Sequence, residues 1–212
     1  MSNLINNFYV LRIIFIVLLV VISIGVIDNL KAKDKINIKD RISFKNINIK
    51  FLFRMLFLSF FLRALIEQIN LLINTNQLSI LGTTNWLEIT MIFITNCLFV
   101  PVFEEIIIRF GLYEKLNKKM NAFLAIIITS IIFALIHWYN IYGFLFLLIV
   151  SFVWNYAYYK TNNLIYPIIL HFVHNVYALI SDYILNNNFY IILGIISFIF
   201  YILLFLINKR EK

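Results

Sequence analysis

The sequence predicts an all-α fold, a polytopic bundle of about seven membrane-spanning helices, and three observations lead to this prediction. Hydrophobic residues make up 63% of the 212 residues and charged residues only 13%, whereas soluble domains have roughly 45–50% and about 25%. The chain contains seven mainly apolar stretches, each close to the length of about 20 residues that a spanning helix needs. Lysine and arginine are concentrated in alternate connecting segments. A multi-pass protein of the cell membrane accounts for all three observations.

Each apolar stretch is predicted to form one helix. In chain order they are Phe8–Ile27, Phe51–Ile73, Trp86–Phe103, Ala122–Trp138, Ile141–Tyr159, Leu164–Leu185 and Phe189–Ile207. The first stretch is too long for the apolar part of a cleaved signal peptide, and its positive charge follows it, so we expect an anchor. The third is expected to continue as helix to about Leu116.

The loop charges predict the orientation of the chain. The polar stretch Asp28–Lys50 contains seven Lys and Arg residues, the segment Asn74–Asn85 contains none, and the alternation continues to a basic C-terminal tail. Because Lys and Arg favour the cytoplasmic side, we expect the N-terminus outside and the C-terminus in the cytoplasm. Topology therefore explains the net charge of +8. We expect the lipid bilayer as a partner and no nucleic acid.

Three charged residues lie close together in the extension of the third stretch. An ionised side chain at the bilayer centre costs about 2.5–3.5 kcal/mol on insertion scales, so Glu104, Glu105 and Arg109 require an explanation. Glu105 and Arg109 are i and i+4 neighbours in the favourable order for an ion pair. Glu104 points about 100° away around the helix and is left as a candidate general base. Alternatively, all three lie at a solvated helix end.

Three histidines provide further polar groups in later apolar stretches. His137 follows an apolar run, and helix lengths place it nearer the outer side than Glu104 unless a tilt, a kink or a late start of its helix brings it level. His171 and Asn175 are i and i+4, so they share a helix face, and an imidazole beside an amide can stabilise a developing oxyanion. His174 lies on the flank of that face. Both sets also have a simpler interpretation, as interfacial or helix-packing polar groups.

Other polar residues are expected to have structural roles. Arg63 and Glu67 are predicted to form a structural ion pair or part of a polar cavity. The lone cysteine, Cys97, is interpreted as a packing residue. Three hydroxyl residues are expected to pack helices together; they are Thr129, Ser130 and Ser151.

Three motifs occur in order: Glu104-Glu105-Ile-Ile-Ile-Arg109, Phe133-Ala-Leu-Ile-His137 and His171-Phe-Val-His174-Asn175. This set resembles the pattern EExxxR, FxxxH and HxxxN of the CAAX-protease and bacteriocin-processing (CPBP or Abi) family of intramembrane glutamic endopeptidases. Family members usually have Gly directly after the Arg, whereas Phe110 intervenes here. The resemblance covers about Trp86 to Leu185. It divides the chain into N-terminal helices (1–85), a catalytic core (86–185) and a C-terminal helix with a basic tail (186–212).

The resemblance implies a role for each motif residue. Glu104 would activate a water with help from His137, and His171 and Asn175 would form the oxyanion hole. The supporting residues would be Glu105 and Arg109. The implied activity is cleavage of a peptide or membrane-protein substrate without a cofactor, in bacterial relatives for bacteriocin maturation or self-immunity.

Two alternatives use the same residues. His137, His171 and a glutamate could hold Zn²⁺, although no HExxH spacing is present and Asn175 is a poor zinc ligand. The chain could also be a non-catalytic membrane scaffold or immunity protein that binds a partner through the same cavity.

Overall fold

The computed structural model describes residues 2–73, 86–184 and 187–210. Every long element in these ranges is a helix, and no strand occurs among them, which confirms the predicted all-α fold. The seven helices follow the seven predicted stretches in order: α1 Ser2–Asp34, α2 Ile49–Ile73, α3 Trp86–Asn117, α4 Ala122–Ile136, α5 Ile141–Thr161, α6 Ile165–Ile184 and α7 Asn187–Arg210. The uncharged connection Asn74–Asn85 lies outside the described residues.

Helix lengths and composition support the membrane assignment. The segments Val10–Asp34, Trp86–Asn117 and Ile141–Thr161 are long and apolar enough to cross a membrane. Shorter apolar helices occur in α4, α6 and α7. The third helix continues past the glutamate pair as expected, to Asn117.

Asparagine residues lie at the ends of the central helices α4 and α5. Asn121 caps α4, accepting from the backbone N–H of Leu124 at 2.9 Å, and Asn140 caps α5 through Gly143 at 2.7 Å. These are the preferred N-cap contacts. Asn162 ends α5 in the left-handed conformation, with φ 53°, which asparagine tolerates better than most residues.

Helix α3 is irregular on both sides of the glutamate pair. Residues Phe93–Phe99 and Ile106–Tyr113 are π-helical, and between them Val100–Glu105 is α-helical. π-Helical turns are rare and occur often at functional sites. In the second π segment, Gly111 allows close approach of α1, because a Cβ there would lie 2.8 Å from Val26 Cγ1.

Helix α5 occupies the centre of the bundle. Its Trp154 is almost fully buried in a core formed with residues from four other helices: Met55, Ile108, Phe133 and Leu170. Helix α5 packs against α2, α4 and α6, and α7 packs against α2. Site residues on α3, α4 and α6 are therefore positioned against a common helix.

The loop between α1 and α2 is anchored to the bundle by a buried carboxylate. Glu114 accepts from Arg41 Nε at 2.8 Å and from Tyr158 Oη at 2.7 Å. Burial by itself lowers the pKa of Arg41, but the hydrogen bond and charge of Glu114 outweigh it, so that the pKa is raised. The sequence analysis did not single out Glu114, because only the fold brings these three residues together.

We expect Glu114→Ala to lower the free energy of unfolding by about 2–3 kcal/mol, since it leaves a charged and a phenolic group without their acceptor. Lys118→Ala is the control. It removes an ion pair with Asp34 whose lysine side chain is 41% exposed, and exposed pairs contribute about 0–1 kcal/mol. Thermal unfolding of the purified protein in detergent measures both. Equal effects of the two substitutions would contradict the anchoring role of Glu114.

Candidate active site

Glu105 is the centre of the candidate site and is completely buried. Its Oε2 lies 2.9 Å from Arg109 Nε, and its Oε1 accepts from Arg109 Nη1 at 3.1 Å. The two side chains thus form a two-point ion pair one turn apart on α3, as their spacing predicts. A guanidinium suits this geometry because its donors form a planar fork that matches a carboxylate.

Arg109 also ties α3 to α5. Its Nη2 donates to Ser151 Oγ at 2.9 Å, and its guanidinium carbon lies 5.0 Å from the centre of the Phe133 ring. Ser151 was expected to pack helices together, and it does so through this hydrogen bond. A fully buried arginine is therefore surrounded by a carboxylate, a hydroxyl and an aromatic face.

His171 extends the cluster to α6. Because the Glu105 carboxylate can only accept, the Nδ1 of His171 donates to Glu105 Oε1, at 2.9 Å. The imidazole stacks on Trp154 with ring centres 4.5 Å apart and an angle of 24° between the planes. These two contacts fix the ring, and its Nε2 lies 3.8 Å from Glu104 Oε2.

Glu104 lies between two imidazoles. It is buried, and its Oε1 is 3.3 Å from His137 Nε2, while its Oε2 faces His171. No hydrogen bond to Oε2 is found among the described residues. The adjacent glutamates thus have separate surroundings: Glu105 is neutralised by an arginine, and Glu104 faces two titratable rings.

Helix lengths left the depth of His137 open, and the structure places it level with Glu104, with 3.3 Å between His137 Nε2 and Glu104 Oε1. Helix α4 begins only at Ala122 and has 15 residues, or about 22 Å. The stretch of α3 from Glu104 back to Asn117 is about 20 Å. Because a short turn connects the two helices, both side chains reach the same level.

The contacts of His137 imply a shared proton. Its Nδ1 lies 2.9 Å from the carbonyl oxygen of Phe133 and must therefore donate to it. Its Nε2 can donate to Glu104 only when the ring carries two protons; otherwise the glutamate carries the proton and donates to Nε2. The pair of His137 and Glu104 therefore holds one proton in either arrangement, which suits proton transfer to and from a reacting group.

Asn175 lies one turn after His171 on α6. Its Nδ2 donates to the backbone carbonyl of Asn96 on α3, at 2.7 Å, and its side chain is half-buried. This bond uses one of the two amide N–H groups. The five other predicted site residues, in contrast, form one connected cluster: Glu104, Glu105, Arg109, His137 and His171.

His174 points away from this cluster. Its Nε2 lies 2.8 Å from Ser59 Oγ on α2, and its ring stacks on Phe60 with centres 4.5 Å apart. Since the Ser59 hydroxyl donates to the carbonyl of Leu56, His174 donates to Ser59. The fold therefore distinguishes the two neighbouring histidines and gives His174 a packing role.

Arg63 lies beside His174 and has the predicted ion pair with Glu67, at 3.9 Å. The guanidinium carbon is 4.3 Å from the centre of the Tyr177 ring and 4.8 Å from that of Phe146. Such cation–π contacts stabilise a buried charge, and they favour the structural interpretation of this pair.

Sequence reasoning missed two residues that position the site. Trp154 supports the imidazole of His171, and Asn96 accepts from Asn175. A tryptophan in an apolar stretch and an asparagine near a helix end have many common roles, so neither gave a usable signal.

A metal site was the alternative use of these side chains. Among the residues that the structure describes, no group of three or more His, Cys, Asp or Glu side chains has an arrangement that could hold a metal ion. Cys97 is buried on α3, as its interpretation as a packing residue predicts.

Comparison with known proteins finds a match to one family model. Residues 85–177 match the family model described as type II CAAX prenyl endopeptidase Rce1-like. The match includes all three motifs, from Glu104 to Asn175. No curated protein and no solved structure matches the chain.

We expect Arg109→Met to lower the free energy of unfolding by about 3–5 kcal/mol, because it leaves the Glu105 charge buried without its partner. The double variant Glu105→Gln/Arg109→Met removes both charges while keeping an acceptor for His171, and it should recover part of this loss. Thermal unfolding in detergent measures both. The single variant Glu105→Gln, measured in the same way, completes the comparison. A loss in the double variant equal to the sum of the losses in the two single variants would contradict a direct coupling.

Proposed function

Because residues 85–177 match the family model described as type II CAAX prenyl endopeptidase Rce1-like, we propose that this chain is an intramembrane endopeptidase in which Glu104 activates a water. The observation that carries the proposal is the position of Glu104. Its carboxylate is buried between His137 and His171 in a bundle of apolar helices. The substrate we propose is a peptide or membrane protein, and the reaction uses no metal.

The first step is the attack of water on the scissile carbonyl carbon. Glu104 accepts a proton from the water as the new carbon–oxygen bond forms. Its Oε2 is the oxygen that faces the interior of the site, since Oε1 is engaged by His137. The His137 ring, which shares a proton with the carboxylate, then assists return of that proton.

The second requirement is stabilisation of the oxyanion. With Nδ1 donating to Glu105, the His171 ring can donate from Nε2 when it is protonated. The remaining N–H of Asn175 is the second donor. Preorganised donors of this kind stabilise a developing negative charge strongly in a water-poor site.

Collapse of the tetrahedral intermediate completes the reaction. The proton taken from water passes to the leaving nitrogen as the carbon–nitrogen bond breaks, which produces a carboxylic acid and an amine. The second water proton leaves when the acid ionises to a carboxylate. No covalent enzyme intermediate is formed, and Glu104 returns to its starting charge. Glu105 and Arg109 take no part in proton transfer; they hold His171 and the helices that carry it.

We expect Glu104→Gln to reduce proteolysis by about 10²–10⁴-fold, the usual contribution of a general base. Cells expressing wild type, Glu104→Gln or Glu67→Gln at equal membrane levels are compared by mass spectrometry of membrane and secreted peptides. Glu67 is the matched control, because it is an intramembrane glutamate whose partner is Arg63. New peptide termini should appear with wild type and Glu67→Gln only.

The same experiment separates the protease from a scaffold. Identical peptide termini in all three strains would contradict the proposed activity. If the biological phenotype of the gene also survived in Glu104→Gln, the non-catalytic scaffold or immunity role would take its place.

We expect cleavage to be unaffected by EDTA and by 1,10-phenanthroline, because the proposed mechanism activates water through a carboxylate and needs no Lewis acid. The measurement is the rate at which the Glu104-dependent termini appear in isolated membranes with and without chelator. Inhibition that added Zn²⁺ reverses would show that a metal takes part.

A further inference from the structure

The backbone carbonyl of Asn96, which accepts from Asn175, lies in the first π segment of α3, five residues before Pro101. In the first π segment the Val100 N–H bonds to the carbonyl of Thr95, five residues earlier. The next donor in this register would be the N–H of residue 101, directed at Asn96. Residue 101 is proline, which has no backbone N–H. The Asn96 carbonyl instead accepts from Asn175 Nδ2, at 2.7 Å.

The same asparagine is held from the other side by α1. Arg12 Nη1 donates to Asn96 Oδ1 at 2.9 Å and to Thr95 Oγ1 at 2.8 Å. The π segment is thereby fixed between α1 and α6. The side chain of Asn96 faces α1, and its backbone carbonyl faces the amide of Asn175.

We infer that Pro101 is a positioning residue for Asn175. By removing one helical donor, Pro101 leaves the Asn96 carbonyl available, and this carbonyl fixes the amide of Asn175 so that its second N–H is oriented for a ligand. The π segment Phe93–Phe99, which precedes the glutamate pair, thus orients the Asn175 amide on α6. This inference rests on the proposed function for the role of Asn175, but the hydrogen bond itself can be tested independently.

The test compares two proline-to-alanine variants, which cover both prolines of the chain. Pro101→Ala restores an N–H that competes with Asn175 for the carbonyl, and it should stabilise the helix rather than unfold it. Pro167→Ala is the control, since Pro167 lies in the first turn of α6, where N–H groups lack a partner within the helix.

The structural readout is the side-chain amide resonance of Asn175 in protein labelled with [¹⁵N]asparagine, in detergent micelles. Its assignment comes from loss of the signal in Asn175→Ala. We expect Pro101→Ala to shift this resonance and Pro167→Ala to leave it in place. An unshifted resonance in Pro101→Ala would overturn the inference, whether or not the chain is a protease.

The functional readout uses a synthetic copy of the peptide that carries the Glu104-dependent terminus. We expect Pro101→Ala to lower kcat by about 10²-fold, comparable to the loss of one oxyanion donor, with little change in KM. In an Asn175→Ala background the same substitution should cause no further loss. An unchanged kcat, or an equal loss in both backgrounds, would overturn the positioning role. Absence of any Glu104-dependent terminus would instead contradict the proposed function.

Discussion

The buried ion pair between Glu105 and Arg109 is the interaction on which the rest of the site depends. Neither side chain has any exposed surface, so each charge is tolerable only because the other is present and hydrogen-bonded. From this pair, Glu105 reaches His171 on α6 and Arg109 reaches Ser151 on α5. Three helices are therefore joined by polar contacts inside an apolar bundle. These contacts determine the position of the His171 imidazole.

Adjacent residues on one helix acquire different functions because a helix turns about 100° per residue. Glu105 points into the bundle, where Arg109 and His171 donate to its Oε1 and Arg109 Nε lies 2.9 Å from its Oε2. Glu104 points toward α4 and lies between His137 and His171. A pair of glutamates at successive positions thus separates structural support from proton transfer, and neither role could be exchanged without rotating α3.

The sequence predicted the helices and the glutamate–arginine pair, because both depend on local patterns. Apolar length defines a spanning helix, and the spacing of Glu105 and Arg109 places them one turn apart. The spacing with Asn175 selected His171 over His174, but the contacts of the two rings, with Glu105 and with Ser59, depend on how α6 packs. The sequence left the depth of His137 open, because that depth depends on where α3 ends and on how α4 lies beside it. The π segments and the Asn96 carbonyl depend on the hydrogen-bond register of α3, which no residue pattern here specified.

The short length of α4 affects how water reaches the candidate site. A helix of 15 residues spans about 22 Å, whereas the hydrocarbon core of a bilayer is about 30 Å thick. A bilayer adapts to a short span by thinning next to it. His137 terminates this helix, and about a third of its side chain is exposed. We therefore expect the bilayer to be locally thinner beside α4, so that solvent lies closer to His137 there. This is the shortest route by which water can reach Glu104.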